Sequence, residues 1–266
     1  MKRLFSYNPN LSQSWMLLGL ILACMLMSGI ASGILSIIFG QEAQPWTNLF
    51  AYVFAFILMG VVVIQLEKWQ EQAEAPATQN IKTTFSLYLL LLFFMPLLSI
   101  SIEPLYMWIP MPECMENIFA LAFTANLPTL ILAVIAAPLA EEWLCRGVIL
   151  KGLLTNQTPP YKAIAWSSLI FAVLHLNPWQ AIPAFFLGFA IGWVYWRTKS
   201  LWPCIFMHAV NNGVAFIIIL LYPDISANAN LYDITGPHYL FIYTGSVIFS
   251  IALAHELWRM IGKEVN

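Results

Sequence analysis

Charge is what this chain of 266 residues has least of. Lys and Arg total 11, Asp and Glu total 13, and charged residues make up 9% of the sequence, against roughly 25% in an ordinary soluble domain. So few charges cannot cover the surface of a water-soluble fold, and with 61% hydrophobic residues an ordinary soluble enzyme and a disordered chain are both excluded. The basic residues are scattered, so there is no patch for nucleic acid. Cysteine is equally uninformative: Cys24, Cys145 and Cys204 lie in apolar stretches and Cys114 near a segment end, with no CxxC or metal-ligand spacing, which excludes a disulfide scaffold. Internal repeats and low-complexity tracts are absent too.

What abounds is apolar runs. Eight can be marked: residues 15–39, 47–66, 83–102, 126–150, 161–176, 180–196, 201–222 and 239–260. A membrane-spanning helix needs about 20 apolar residues. The run beginning at Trp15 is too long for a signal-peptide core and lacks a small-residue cleavage site, so it reads as an uncleaved first span. Residues 113–125 are amphipathic and suit the membrane interface, and residues 67–82 read as a solvated loop. The expected fold is an all-α, polytopic membrane protein, one integral-membrane domain over residues 1–266 with about eight transmembrane helices.

Basic residues gather in cytoplasmic loops, which tests that count. With a cytoplasmic N-terminus, Lys2, Arg3, Lys68, Lys82, Lys151, Lys162, Arg197, Lys199, Arg259 and Lys263 all fall inside, ten of the 11. The outer loops hold only acids, Glu42, Glu103, Glu113, Asp224 and Asp233, with Trp46, Tyr106 and Trp108 as interfacial aromatics. A wrong span count would scramble this segregation. A multi-pass protein of the bacterial cytoplasmic membrane with both termini cytoplasmic is expected. The eleventh basic residue, Arg146, falls inside the fourth span.

Ionisable groups inside a bilayer are costly and mark function by default. The fourth run carries Glu141, Glu142 and Arg146, the fifth His175, and the seventh His208, Asn211 and Asn212. His255 and Glu256, near the last cytoplasmic end, reach the interface. Glu142 and Arg146 are four apart and can pair on one helix face. Glu141 points about 100° away, so it must find another partner or hold a proton, and a proton-accepting acid suits general-base chemistry. The plain alternative is two glutamates sharing one arginine as helix glue. His175 shares a face with Phe171; alone, such a histidine more often bonds between helices than catalyses. His208 and Asn212 share a face and offer two donors suited to an oxyanion, or to polar glue between helices. Asn211 points elsewhere and reads as packing, and Gly33, Gly188, Gly192 and Gly213 read as close helix contacts. At about 1.5 Å per residue from the nearest lysines, Glu141, His175 and His208 lie roughly 14–20 Å from the cytoplasmic boundary, able to converge in a water-filled cavity.

Three motifs thus stand in order: Glu141-Glu142-Trp143-Leu144-Cys145-Arg146, Phe171-Ala172-Val173-Leu174-His175 and His208-Ala209-Val210-Asn211-Asn212, or EExxxR, FxxxH and HxxxN. Each is weak alone; together, in this order and within apolar spans, they resemble the CAAX protease and bacteriocin-processing (abortive-infection) family of intramembrane endopeptidases. The resemblance covers residues 126–216; residues 1–112 add no motif. It implies that Glu141 and His175 activate a water for attack on a peptide carbonyl, that His208 and Asn212 form the oxyanion hole, and that Glu142 and Arg146, with Phe171, hold the site's shape. No cofactor is needed in that scheme. The alternative is a metalloprotease with zinc on Glu141, His175 and His208, although the HExxH pattern is absent. Substrates would be peptides or membrane proteins within the bilayer, from prenylated tails to leader peptides, with prenylated ones disfavoured by the bacterial topology. Two other classes fit the polar residues less well: a non-catalytic immunity or regulatory protein, and a proton-coupled transporter, which would favour paired repeats. No oligomeric state can be read.

Overall fold

The computed structural model describes residues 7–70, 83–122, 124–223, 225–226 and 229–262. Lys2, Arg3, Lys82, Lys263 and Asp224 lie outside the described residues. Every regular element among the described residues is helical. In chain order they are α1 (Leu11–Phe39), α2 (Gln44–Trp69), α3 (Phe85–Ile102), α4 (Glu113–Ala122), α5 (Leu127–Thr155), α6 (Pro160–Leu174), α7 (Pro178–Thr198), α8 (Leu201–Leu221), α9 (Leu231–Thr235) and α10 (Tyr239–Leu257).

All eight apolar runs form helices. Six helical stretches, α1, α2, α3, α5, α8 and the one containing α10, are long and apolar enough to cross a membrane. With Leu26, Met27, Ile37, Phe241 and Ile251 among their widely exposed side chains, they make this an integral, multi-pass membrane protein. The other two runs differ in kind. Helix α6 has 15 residues, about 22 Å of length, short of the roughly 30 Å hydrocarbon thickness. Helix α7 carries Gln180, Pro183 and Arg197 and falls outside the six. The two pack on each other as a hairpin, so six of the eight expected spans meet the length and apolarity of a membrane crossing among the described residues.

The sequence explains where these helices start. Asn10 caps α1 by accepting from Gln13 N at 2.9 Å while Gln13 Oε1 accepts from Asn10 N at 2.9 Å, a reciprocal capping box. Asn126 and Asn177 cap α5 and α7 through the third residue's N–H in the same way. Helices α1 and α2 approach closely because Ser28, Ser32 and Ser36, four apart, are buried along one stripe. Ser32 Oγ donates to Thr47 Oγ1 and Asn48 Oδ1 at 2.9 Å.

Contacts between elements sort the two ends of the bundle. At one end Asn8 bonds Gln70 after α2, and Asn156 after α5 donates to the Asn8 carbonyl at 3.1 Å. There Tyr161 packs on Trp196, and Arg197 Nε donates to the Ile261 carbonyl at 2.6 Å. Lys68, Lys151, Lys162, Arg197, Lys199 and Arg259 therefore all sit at this end, as the charge pattern required. At the other end Leu231 N donates to Glu103 Oε1 at 2.5 Å, Trp179 Nε1 donates to the Ile109 carbonyl, and Ser226 meets Glu116. The basic half is packed solid, with Leu150, Leu153 and Ile164 at 0% exposure.

The contact that closes the basic end is testable. A Cβ on Gly152 would lie 2.4–2.7 Å from Pro9 Cδ, N and O, backbone included, so the segment before α1 would have to move. Gly152→Ala is expected to lower stability by about 1–3 kcal/mol, the usual cost of overpacking, read by thermal unfolding in detergent.

Candidate active site

The site is built on an irregular helix. Within α5, residues Leu132–Ala136 and Trp143–Leu150 form π-helical turns, which are uncommon and tend to mark functional positions. The first has a local cause. Pro138 has no N–H, and the widened turn before it sends the Ala137 N–H to the Leu132 carbonyl. The Ala133 carbonyl instead accepts from Asn212 Nδ2 of α8 at 2.8 Å. One motif residue is thus held by the backbone irregularity of the helix that carries another motif.

Glu142 and Arg146 form the ion pair that their spacing implied. Arg146 Nη1 lies 3.0 Å from both Glu142 oxygens, and both side chains are fully buried. Arg146 Nη2 donates to the Gly188 carbonyl of α7 at 2.8 Å, and its guanidinium lies 4.7 Å from the centre of the Phe171 ring. A side chain at position 188 would crowd both, with Arg146 Nη2 and Phe171 Cδ1 each 3.1 Å from an added Cβ. Gly188 is therefore a close contact, as expected, and also an acceptor for the arginine. Gly33 is not a close contact, since nothing approaches within 4 Å.

Glu142 has a second partner that helix periodicity did not show. His208 Nδ1 lies 2.9 Å from Glu142 Oε1. A carboxylate only accepts, so Nδ1 carries the hydrogen and Nε2 is turned away from Glu142. His208 Nε2 then lies 4.0 Å from Glu141 Oε2. Glu141 finds its other partner in Tyr52 of α2, whose hydroxyl donates to Glu141 Oε1 at 2.5 Å. Tyr52 was missed in the sequence; the only available signal was a tyrosine within an apolar span, since a buried phenol hydroxyl must find a partner.

His175 stands at the end of α6 rather than within it. The helix stops at Leu174, Leu176 turns back at φ 57°, and Asn177 Nδ2 donates to the His175 carbonyl at 2.8 Å. Left-handed backbone costs a non-glycine residue about 1–2 kcal/mol, so the turn is fixed by its surroundings. His175 Nδ1 lies 2.9 Å from the Phe171 carbonyl, which can only accept, so Nε2 is the free acceptor. The Phe171 ring sits edge-on between His175 and His208, with centroids 5.1 Å and 5.5 Å away.

Glu141, Phe171, His175, His208 and Asn212 all line one cavity of about 490 Å³, a size typical of ligand sites. Glu142 and Arg146 lie behind its wall. Asn211, expected to pack elsewhere, also lines it and donates to Asn212 Oδ1 at 3.3 Å. Among the described residues, no group of three or more His, Cys, Asp or Glu side chains is gathered as a metal site.

The stretch that builds this cavity also has relatives. Residues 123–214 match the family described as type II CAAX prenyl endopeptidase Rce1-like. The membrane-embedded CAAX protease MroQ of Staphylococcus aureus (strain USA300) is 28% identical over 176 residues, 63% of this chain and 70% of the relative. The putative membrane peptidase YdiL of Bacillus subtilis (strain 168) is 32% identical over 91 residues, 34% of this chain and 36% of the relative. Over this stretch the chain is similar to members of the CAAX protease family. The match spans about a third of the length of YdiL, and no solved structure matches.

Within this stretch the two adjacent glutamates have unlike surroundings, and their removal should differ accordingly. Glu142→Gln leaves Arg146 buried without its counter-charge, a defect of about 3–5 kcal/mol. Glu141→Gln keeps an oxygen for the Tyr52 hydroxyl and should unfold close to wild type. Thermal melts of the two purified variants compare them directly, and equal losses would contradict the division.

Proposed function

We propose that the protein is an intramembrane endopeptidase of the glutamate type, hydrolysing peptide bonds of membrane-associated peptides. The observation that carries this reading is the convergence of Glu141, His175, His208 and Asn212 on one cavity in a stretch similar to the CAAX protease family. Glu141 takes the proton of a water, held also by a hydrogen bond to the free Nε2 of His175, as the water attacks the peptide carbonyl. The tetrahedral oxygen is received by His208 and by the second Nδ2 hydrogen of Asn212, the first being held by the Ala133 carbonyl. Because His208 Nδ1 donates to Glu142, its Nε2 donates to an oxyanion only in the imidazolium form. Returning the proton from Glu141 to the amine nitrogen completes the cleavage.

Tyr52 positions Glu141 by holding one oxygen, leaving the other toward His208. Glu142, Arg146 and Phe171 keep the imidazole of His208 in place. No metal enters this scheme. We place the protein in a bacterial cytoplasmic membrane with both termini cytoplasmic, which the gathering of the described Lys and Arg side chains, Arg146 apart, at one end of the bundle supports.

Three measurements bear on the mechanism. Purified protein and a quenched peptide library should show cleavage that survives exhaustive chelation, whereas stoichiometric zinc lost and regained together with activity would favour the metalloprotease alternative. His208→Ala and Asn212→Ala should each lower kcat by about 10²–10³, the usual cost of an oxyanion donor. Tyr52→Phe, which removes one hydrogen bond to a charged group, should cost about tenfold in kcat with little change in KM or melting temperature.

A further inference from the structure

The cavity around Glu141 is closed toward one end of the bundle and open toward the other. Its closed side is formed by Met95, Phe171 and Ile191, exposed by 0%, 3% and 2%, and behind them Leu150, Ile164 and Val194 are buried down to the basic end. On the opposite side its walls are the start of α5 and α7 and the last turns of α8, where Thr129 is buried, Leu132, Trp179, Phe216 and Ile219 are half-buried and Ala215 is exposed. Helices α5 and α7 begin, and α8 ends, away from Lys151, Arg197 and Lys199, so the open side faces away from the basic end.

A side passage leads the same way. A smaller cavity of about 210 Å³ shares Met25, Tyr52 and Leu132 with the first and continues past Gly29, Ser32 and Asn48. These positions lie in the halves of α1 and α2 remote from the basic end. The neighbouring Leu26, Met27 and Ile30 are widely exposed on the lipid-facing surface.

The lining is also selective by charge. Among the described residues that line the main cavity, Glu141 is the one carboxylate, and there is no Lys or Arg. Arg146 is fully buried behind the wall and bound to Glu142 and the Gly188 carbonyl. His208 is already flanked by two carboxylates. An incoming carboxylate finds no unshared cation and meets Glu141, while the rest of the lining is largely apolar.

Resting on the peptidase reading, we infer that the cavity takes a neutral, apolar interior segment of a peptide that arrives from the end of the bundle opposite the basic residues. The site discriminates against a scissile bond close to a charged residue or to a free C-terminal carboxylate. By the charge rule that entry side is the non-cytoplasmic half of the membrane, so the substrate is a membrane-inserted or exported peptide rather than a tail presented from the cytoplasm.

The test uses the full chain. In detergent, cleavage of an apolar, end-blocked, quenched peptide that disappears in Glu141→Gln establishes the peptidase; failure at this step sinks that reading and not the entry side. With activity in hand, kcat/KM is expected to fall by the order of tenfold to a hundredfold when a Lys, an Asp or a free C-terminal carboxylate is placed within three residues of the scissile bond, since an unpaired charge must then be desolvated. Equal rates, or a preference for the free carboxylate, overturn the charge selectivity. The protein is then reconstituted into vesicles whose orientation is fixed by labelling a single cysteine at Lys199, and a membrane-impermeant peptide is supplied outside. Cleavage is expected when the basic end faces the lumen, about tenfold faster or more than in the reverse orientation. Equal or reversed rates overturn the entry side.

Discussion

The Glu142 carboxylate, fully buried in the bundle, joins the three elements on which the rest depends. It is bound by Arg146 from its own helix and by His208 from α8, while Arg146 reaches on to the Gly188 carbonyl of α7. A buried ion pair is weak evidence for stability, because desolvation offsets much of its attraction. What it supplies here is orientation. The carboxylate fixes which nitrogen of His208 carries the hydrogen, and the guanidinium lies over Phe171, whose ring separates the two histidines. Removing Glu142 or Arg146 leaves the other charge without its counter-charge in an apolar surrounding.

The surrounding fold divides in two along the bundle. The half that carries the basic side chains is densely packed, with large aliphatic residues at zero exposure and the chain before α1 locked against Gly152. The other half is opened by irregular backbone: the π-helical turn ahead of Pro138, the halt of α6 at Leu174, and Pro183 within α7. Each frees a backbone or side-chain polar group inside the bilayer, which is tolerated only where protein or a cavity satisfies it. Asn212 meets the Ala133 carbonyl, Asn177 meets the His175 carbonyl, and the cavity lies between them. Dense packing on one side thus holds still the side chains that line the cavity on the other.

Much of this was legible in the sequence because it depends on composition and short spacing. The scarcity of charge compelled a membrane fold, and the segregation of Lys and Arg predicted their gathering at one end. The four-residue spacing of Glu142 and Arg146 compelled their pairing, because helix geometry alone sets that contact. The three motifs marked Glu141, Phe171, His175, His208 and Asn212, all of which line the cavity. The pairing of the fifth and sixth runs was not legible: these helices of fifteen and 21 residues pack on each other, and periodicity does not reveal whether a helix faces lipid or other helices.

The sequence by itself determined the chemical inventory of the site, two acids, one arginine, two histidines and an asparagine, because such groups do not persist in apolar helices without partners. Only the tertiary structure decided who partners whom. Tyr52 reaches Glu141 across 89 positions of chain and His208 reaches Glu142 across 66, distances over which local geometry carries no information. The tertiary structure also decided where the cavity opens, because that follows from which ends of α5, α7 and α8 lie together. Helix polarity and packing between remote segments set that arrangement, and no spacing within one segment encodes it.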